Sequence, residues 1–372
     1  MNFDPAEQTI FSLAEGDVLM TEGSGSVETV GTSAVWRGEL RGTVCFQNTL
    51  LRIRPRRGTT EGRFLAWWAR HAHASGQIAA VSSGANIQHI GSDGLKSLPV
   101  NVPSLEEQRR IADFLDDRIA RIDQIIAARR EQARVSLLLS RRAVMDRLLD
   151  GRFNQLPIAP WFDTVPGAHA VRLSNRWSVI DCKHRTPEYR DVGYPVVSPG
   201  DISPGRLNLQ RATRFVSHDD YLDLADDLRR CRRGDLVYSR NASAGTAAYV
   251  DTDDPFTMGQ DVCRITSVHH SQLYLSYCLN YLTEPQLDSV RVGSTFTRIN
   301  VELIKALMIP YRDPQGQQLV AAECDDLVEA GARHVALLSC SIALLREYKP
   351  SLITAAVTGE LDVTTAGSGI PG

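Results

Sequence analysis

Lysine is scarce in this sequence of 372 residues, which has 4 lysines against 37 arginines and a formal net charge of −3. A stand-alone DNA-binding domain is usually basic. Any nucleic-acid interface must therefore concentrate positive charge locally or share its ligand with a partner. No apolar run approaches the length of a membrane span, and the N-terminus has no basic segment followed by an apolar stretch. We therefore expect a cytoplasmic protein without a membrane partner.

Catalytic and cofactor motifs are also missing from the sequence. The 7 cysteines are odd in number and contain no C-x-x-C, which argues against a disulfide framework or a zinc site. There is no G-x-x-x-x-G-K-[ST], G-x-S-x-G or H-E-x-x-H motif, and no Asn-Pro-Pro-aromatic motif of an amino-methyltransferase. We therefore predict no enzymatic activity for the chain alone, no metal and no cofactor. A nuclease site assembled from Asp261, Glu302 and Lys305 is the alternative.

The chain repeats itself once, at an offset of roughly 208 to 218 residues. Five matched segments follow one another in the same order in both halves: GDVLMTEG and GDLVYSRN, GTVCFQNTLLRIRP and FTMGQDVCRITSV, LKSLPVNVP and IKALMIPYR, EEQRRIADFLDDRIARID and QGQQLVAAECDDLVEAGA, LLDGRF and VTGELD. Such a repeat predicts two similar domains related by a pseudo-two-fold axis.

Each half combines a mixed α/β part with one long helix. The α/β parts contain short β-like runs bounded by turn residues, such as DLVYSR and TAAYV, and short helical segments at 63–73 and 272–284. Ser104 and Glu107 are typical of a capping box at the start of the first long helix. Its apolar residues recur at helical spacing: Ile111, Leu115, Ile119, Ile122, Ile126, Leu137, Val144 and Leu148. The second long helix, about 315–358, carries a heptad seam of Val328, Val335, Ile342, Leu338, Leu345 and Leu352.

The two apolar stripes predict that the long helices pair with each other. Residues 105–152 carry 11 basic and 9 acidic residues and residues 313–372 carry 3 and 8, so their charges favour the pairing. The predicted fold class is α/β (α+β), with two mixed α/β domains separated by two long helices that form an antiparallel coiled coil. The predicted parts are residues 1–104, 105–152, 153–312 and 313–362, with a flexible tail at 363–372.

The segment LPVNVPSLEEQRRIADFLDDRIARIDQII resembles the conserved region of type I restriction-enzyme specificity subunits. GTVCFQNTLLRIRP and DCKHRTPEYRDVGYPVVSPGDI are similar to segments of that family's target-recognition domains. The resemblance implies two target-recognition domains, each reading one half of a bipartite double-stranded DNA site. It also implies that the long helices act as a spacer and dock two methyltransferase subunits, which a restriction/translocase subunit joins.

One departure from the family pattern concerns the first domain. It has 15 residues before GDVLMT, whereas the second domain has about 80 before GDLVYS. The first domain therefore lacks a counterpart of VIDCKHRTPEYRDVGYPVVSPGDIS and is N-terminally short by comparison. The resemblance to a target-recognition domain is therefore incomplete over the first domain.

Loops with polar side chains beside glycine are the candidate DNA contacts, because such side chains reach base edges and phosphates. In the second domain the candidates are Lys183, His184, Arg185, Thr186, Ser239, Arg240, Asn241, Ser243, Gln260, Ser294, Thr295, Thr297 and Arg298. In the first domain they are Thr21, Ser24, Ser26, Gln47, Asn48, Ser83, Asn86 and Gln88. Two arginine clusters, at 52–57 and 229–233, are candidates to neutralise phosphates.

The polar start of the first long helix is a candidate subunit interface. We predict that Glu106, Glu107, Gln108 and Arg109 dock methyltransferase subunits, since the family resemblance is densest there. A helix cap is the alternative explanation. Two other functions stay open: a coiled-coil scaffold for protein interactions, and a truncated or orphan specificity fragment that reads one half-site. Repeated loops rich in Arg, Asn, Gln and Ser favour DNA specificity over the scaffold.

Overall fold

The structure is a computed structural model, and it describes residues 3–24, 26, 29–84, 88–151, 169–241, 244–291 and 298–366. The chain divides into two compact units, Met1–Ala133 with Ala336–Gly372, and Arg134–Val335. Each unit contains an α/β domain and one part of each of two long helices, α5 (Leu105–Leu148) and α10 (Pro314–Thr358). Helix α10 begins and ends within one residue of the predicted 315–358, and α5 lies within the predicted part 105–152. The predicted fold class is confirmed.

The α/β domain of the first unit is built on a small antiparallel sheet. Its described helices are α1 (Pro5–Phe11), α2 (Gly62–Ala74), α3 (Gln77–Val81) and α4 (Ser92–Ser97). Its described strands are β1 (Val18–Thr21), β2 (Gly23–Ser24), β3 (Ser33–Val35), β4 (Leu50–Ile53) and β5 (Gln88–His89). Three strands form a sheet in the order β3-β1-β4, and β2 pairs with β5. The apolar face of α2, with Phe64 and Trp67, packs in one core with Leu115 and Ile122 of α5.

The α/β domain of the second unit is larger. Its described strands are β6 (Ala170–Arg172), β7 (Ser178–Asp181), β8 (Tyr194–Val197), β9 (Gly205–Arg206), β10 (Phe215–Val216), β11 (Leu236–Ser239), β12 (Ala247–Tyr249), β13 (Thr257–Met258), β14 (Val262–Thr266) and β15 (Met308–Pro310). Its described helices are α6 (His218–Leu224), α7 (Gln272–Leu282), α8 (Glu284–Arg291) and α9 (Val301–Ala306). The main sheet has the order β7-β14-β11-β12-β9, and a second sheet has the order β10-β8-β13.

The same Gly-Asp turn opens the central strand of both sheets. Gly16 and Gly234 take left-handed backbone conformations, with φ of 89° and 95°, which glycine adopts without strain. In the first unit the carboxylate of Asp17 accepts hydrogen bonds from the backbone N–H of Ala14 (2.8 Å) and from Arg54 Nε (2.8 Å). In the second unit that of Asp235 accepts from the N–H of Arg232 (2.7 Å) and from Arg264 Nε (2.7 Å). The predicted repeat is therefore present in the fold.

The long helices run antiparallel within each unit. In the first unit Ile119, Ile122 and Ile126 share a core with Leu345 and Leu352, and Lys349 pairs with Asp123 at 2.5 Å. In the second unit Ser136 lies 3.1 Å from His334, and Ser140 donates to the carbonyl of Leu327 at 3.1 Å. The predicted seam of α10 is buried or half-buried throughout. Leu137 of α5 is the exception among the predicted core positions, because its side chain is exposed.

Helix α10 also corrects one expectation from the sequence. It contains an 18-residue stretch with a mean hydropathy of 1.4, long and apolar enough by length and composition to cross a membrane. The core helix of a soluble protein can pass the same test, although only 11% of this stretch is buried. Length and composition are therefore weak evidence for a membrane span here.

Candidate nucleic-acid interface

Strand register brings three loops of the second unit to one edge of its main sheet. Strand β7 ends at Asp181, which lies opposite Cys263, and β11 ends at Ser239, which lies opposite Val262. The chain segments that follow Asp181 and Ser239 and the one that precedes Val262 therefore leave the sheet side by side. The predicted contact residues at 183–186, 239–241 and 260 all belong to these segments.

Arg240 holds the three loops together. Its guanidinium pairs with the carboxylate of Asp181 and donates from Nε to the carbonyl of Ile299 at 3.0 Å. Its backbone N–H donates to the carbonyl of Asp261 at 2.8 Å. Arg240 is only 5% exposed, and its neighbour Ser239 is 0% exposed. A side chain buried in this way has no free surface with which to reach a base edge, so the structure argues against direct DNA contact by Ser239 and Arg240.

Lys183 and Arg185 are half-exposed to exposed, but both are already bound to carboxylates of α6. Lys183 pairs with Asp223, and Arg185 pairs with Asp223 at 2.6 Å and with Asp220 at 2.7 Å. The hydrogen bonds from Lys183 and then Arg185 lower the pKa of Asp223, which keeps that carboxylate charged. These two cations therefore offer a phosphate less charge than the sequence predicts.

Four other predicted residues at the same edge are exposed to solvent: His184, Thr186, Gln260 and Arg298. Gln260 donates to the hydroxyl of Thr186 at 2.8 Å, so these two amide and hydroxyl groups are held together. Arg298 is 55% exposed on its side chain and pairs with Asp261 at 2.6 Å. Asn241, half-buried, also donates to Asp261, at 3.2 Å. Ser243, Ser294, Thr295 and Thr297 lie outside the described residues.

Two aspartates anchor these loops, and the sequence did not indicate this role for either of them. Asp181 binds Arg240 and lies 3.2 Å from His184 Nε2, and Asp261 binds Arg298 and Asn241. Asp261 also has a left-handed φ of 64°, which is uncommon for a residue other than glycine. Their positions could have indicated this role, because Asp181 ends one strand and Asp261 precedes another.

The predicted DNA-contact residues of the first unit lie near the end of its central strand β1, as those of the second unit lie near the end of β11. Ser24 lies opposite Gln88 in the β2–β5 pair, and Ser83 exchanges backbone hydrogen bonds with His89 at 2.8 and 2.9 Å. The backbone N–H of Glu22 donates to the carbonyl of Thr49 at 3.0 Å. The latter bond brings the turn with Gln47 and Asn48 next to the end of β1. Most of the predicted side chains here are exposed or half-buried: Thr21, Ser24, Ser26, Gln47, Asn48, Ser83 and Gln88. Asn86 lies outside the described residues.

Several arginines of the two clusters bind carbonyl or carboxylate groups of the protein itself. Arg52 donates to the carbonyls of Ile10 and Ser12 at 2.9 and 2.8 Å, and Arg54 pairs with Asp17 at 2.6 Å. In the second cluster Arg229 pairs with Asp226 at 2.6 Å and Arg233 with Asp251 at 2.6 Å. The hydrogen bonds of these arginines stabilise loops and strand ends. The clusters therefore present less positive charge to a ligand than the number of their arginines suggests.

The start of α5 contains a buried glutamine. Gln108 is 0% exposed, its Oε1 accepts from the N–H of Glu61 at 2.9 Å, and its Nε2 donates to the carbonyls of Thr59 and Pro103 at 2.9 and 2.8 Å. This burial excludes Gln108 from a docking surface and corrects its predicted role. Glu106 and Arg109 are exposed, and Glu107 is half-buried.

Gln317 occupies the matching position at the start of α10. Its Oε1 accepts from the N–H of Ser271 at 2.8 Å, and its Nε2 donates to the carbonyl of Arg312 at 2.9 Å. Glu61 and Ser271 are the N-cap residues of α2 and α7. In each unit, therefore, a buried glutamine of the long helix holds the start of a helix in the α/β domain.

The residues of the weak nuclease alternative have other partners. Lys305 pairs with Glu302 within α9 at 2.8 Å, whereas Asp261 pairs with Arg298. Within the described parts of the chain, no group of three or more His, Cys, Asp and Glu side chains is arranged to hold a metal ion. All seven cysteines are free thiols, four of them buried.

Comparison with known proteins points to one family. Residues 6–134 and 182–330 match the family described as "Type I restriction modification DNA specificity domain". The EcoKI specificity subunit of an Escherichia coli type I restriction enzyme is 26% identical over 230 residues, which are 60% of this chain and 47% of that protein. The EcoBI specificity subunit is 22% identical over 302 residues, 76% of this chain and 63% of that protein. The chain thus spans about half to two thirds of the length of these relatives.

A solved structure shares the fold. A chain from the work titled "Structural basis underlying complex assembly and conformational transition of the type I R-M system" superposes with a TM-score of 0.74 at 20% sequence identity. The superposition covers 94% of this chain and 83% of the other. At this identity the likeness concerns the fold alone.

Proposed function

Because the chain belongs to the family of type I restriction-modification DNA specificity domains, we propose that it is the DNA specificity subunit of a type I restriction-modification complex. In this role it reads a bipartite double-stranded DNA target and carries out no chemistry itself. Methyltransferase subunits and a restriction/translocase subunit supply the reactions, in the cytoplasm. Residues 1–104 and 153–312 are the proposed target-recognition domains, residues 105–152 and 313–362 the spacer helices, and residues 363–372 the tail.

One observation carries this proposal: the same sheet edge collects polar loops in both units. The central strands β1 and β11 begin with the same anchored Gly-Asp turn and end beside loops rich in Ser, Thr, Asn and Gln. Amide and hydroxyl side chains of this kind hydrogen-bond base edges, and the exposed Arg298 suits either guanine or phosphate. Two such edges on one chain suit a target that has two separate parts.

The DNA-reading proposal predicts that both half-sites contribute to affinity. Mapping methylated adenines in a host that carries this chain and its methyltransferase gives the target sequence. The purified complex is then tested with four DNAs, carrying both half-sites, either one, or neither, over a salt series. We expect loss of the second half-site to weaken binding at least about tenfold, because each mismatched base pair costs about 1–3 kcal/mol. Loss of the first should have a smaller effect, since the described main sheet of that domain has three strands against five in the second.

The salt series separates specific from electrostatic binding, because phosphate contacts set the slope of affinity against salt for every sequence. Equal affinity for all four DNAs at every salt concentration would contradict the proposal and favour the scaffold function. Dependence on the second half-site alone would identify a fragment that reads one half-site.

We also propose that the exposed start of α5 docks a methyltransferase subunit. The exchange Glu106→Lys with Arg109→Glu reverses two exposed charges at constant net charge. It should reduce co-purification about tenfold, because charges at an interface rim act on association. The matched control, Asp117→Lys with Arg121→Glu, exchanges an exposed ion pair on the same helix and should leave assembly unchanged. Full assembly of the first variant would show that this helix start is only a cap.

A further inference from the structure

A cleft of about 530 Å³ lies in the first unit between α2, α5 and α10. Its floor is apolar, formed by Ile126 and Ala127 of α5 and by Pro350 and Ile353 of α10. This volume is in the range of small-molecule sites, which span about 300–1,000 Å³. The cleft includes Ile126 of the helix seam, but none of the predicted DNA-contact residues lines it.

The walls of the cleft are strongly basic. Four cationic side chains line it, Arg70 of α2, Arg130 of α5, and Arg346 and Lys349 of α10, against the single carboxylate of Asp123. Asp123 is already paired with Lys349 at 2.5 Å. Over the part of the chain that the structure describes, no carboxylate forms an ion pair with Arg70, Arg130 or Arg346. The cleft therefore carries an excess of positive charge that the single carboxylate of Asp123 does not balance.

His71 lines the cleft without adding charge. Its Nδ1 lies 2.9 Å from Thr354 Oγ1 and its Nε2 lies 3.2 Å from Nε2 of Gln77. Because an amide nitrogen can only donate, Nε2 of His71 accepts and Nδ1 carries the proton. This arrangement suits the neutral ring, and burial lowers the pKa of His71 further. The positive charge of the cleft thus comes from the guanidinium groups and Lys349.

Arg70 is held in a defined orientation. Its guanidinium lies over the ring of Trp67, 4.4 Å from the centroid, and such stacking leaves its edge free to donate hydrogen bonds. The cleft thus presents arginine donors on its walls.

We propose that this cleft binds a phosphate ester, with Arg70, Arg130 and Arg346 around the phosphate oxygens and the apolar floor against the organic part. Planar guanidinium groups match phosphate geometry with paired hydrogen bonds. The compact volume and apolar floor favour such a ligand over an acidic peptide, which needs a longer groove with backbone partners. The phosphate can come from a free nucleotide or from a DNA backbone. The inference does not rest on the proposed DNA specificity.

The test uses the full chain and titrates four probes by calorimetry: ATP, inorganic tripolyphosphate, a short DNA duplex without the target, and polyglutamate. Arg130→Gln and Arg346→Gln each remove one exposed, unpaired guanidinium. The control Arg121→Gln removes an exposed charge from α5 outside the cleft, where Arg121 is paired with Asp117. We expect each cleft variant to weaken binding of ATP and tripolyphosphate about tenfold, and the control to change it less than twofold.

Each outcome decides the proposal. A tenfold loss for ATP and tripolyphosphate identifies a free phosphate ligand. Binding of DNA alone, with the salt slope reduced by about one in each cleft variant, identifies the DNA backbone and still supports a phosphate site. Polyglutamate binding that depends on Arg130 and Arg346, without phosphate binding, would overturn the proposal in favour of an acidic protein segment. No response of any probe to the cleft variants would also overturn it.

Discussion

Replacement of Gln108 by alanine is expected to destabilise the first unit by about 3–6 kcal/mol. The substitution removes the partner of three backbone groups, the N–H of Glu61 and the carbonyls of Thr59 and Pro103. A buried polar group left without a partner costs about 1–3 kcal/mol. The loss is large against the total of about 5–15 kcal/mol that stabilises an ordinary domain.

Denaturant unfolding followed by tryptophan fluorescence measures this effect, since three of the five tryptophans, Trp36, Trp67 and Trp68, belong to the first unit. Hydrogen exchange along α2 localises it, because Glu61 caps that helix. Gln317→Ala is the matched variant in the second unit, and it should destabilise α7 instead. Glu106→Ala, at an exposed neighbouring position, should change stability by less than about 0.5 kcal/mol. Wild-type stability of Gln108→Ala, combined with loss of methyltransferase binding, would return Gln108 to the docking surface.

Replacement of Arg240 by alanine should destabilise the second unit by about 3–5 kcal/mol, since it removes one partner of a largely buried ion pair. The carboxylate of Asp181 then loses its guanidinium partner, and the carbonyl of Ile299 loses its donor. Arg240→Lys should not restore stability, because an ammonium group cannot reproduce the planar fork of arginine. DNA recognition at the second half-site should fall as a consequence of the disordered loops.

Arg298→Ala provides the contrast. Arg298 is exposed, and its ion pair with Asp261 should contribute less than about 1 kcal/mol to stability. If Arg298 contacts a guanine, the variant should keep its thermal midpoint but lose about 1–3 kcal/mol of discrimination at one base pair. A phosphate contact would instead weaken binding to all sequences alike. If Arg240→Ala kept full stability and lost only DNA affinity, Arg240 would be a direct contact and the positioning role would be wrong.

Local and periodic features of the structure could be predicted from the sequence. The helical spacing of the apolar residues from Ile111 to Leu148 and the seven-residue spacing of Leu338, Leu345 and Leu352 predicted the long helices and their buried seam. The repeated segments, among them GDVLMTEG and GDLVYSRN, predicted two similar domains, and in the structure both of these segments begin with the same Gly-Asp turn. These features depend on residues close together in the chain, or on a spacing that a single helix face imposes.

The burial and charge of individual polar residues were decided only by the tertiary structure. Arg240 looked like a loop arginine, but its partners Asp181 and Ile299 each lie 59 positions away and bury it. Gln108 looked like a surface residue of a helix start, yet a backbone N–H 47 positions away makes it a core residue. Lys183 and Arg185 are neutralised by α6, and Arg130 and Arg346 become neighbours only through the pairing of α5 with α10. A side chain's exposure and net charge depend on which distant groups folding brings to it, and residue type and spacing alone do not contain that information.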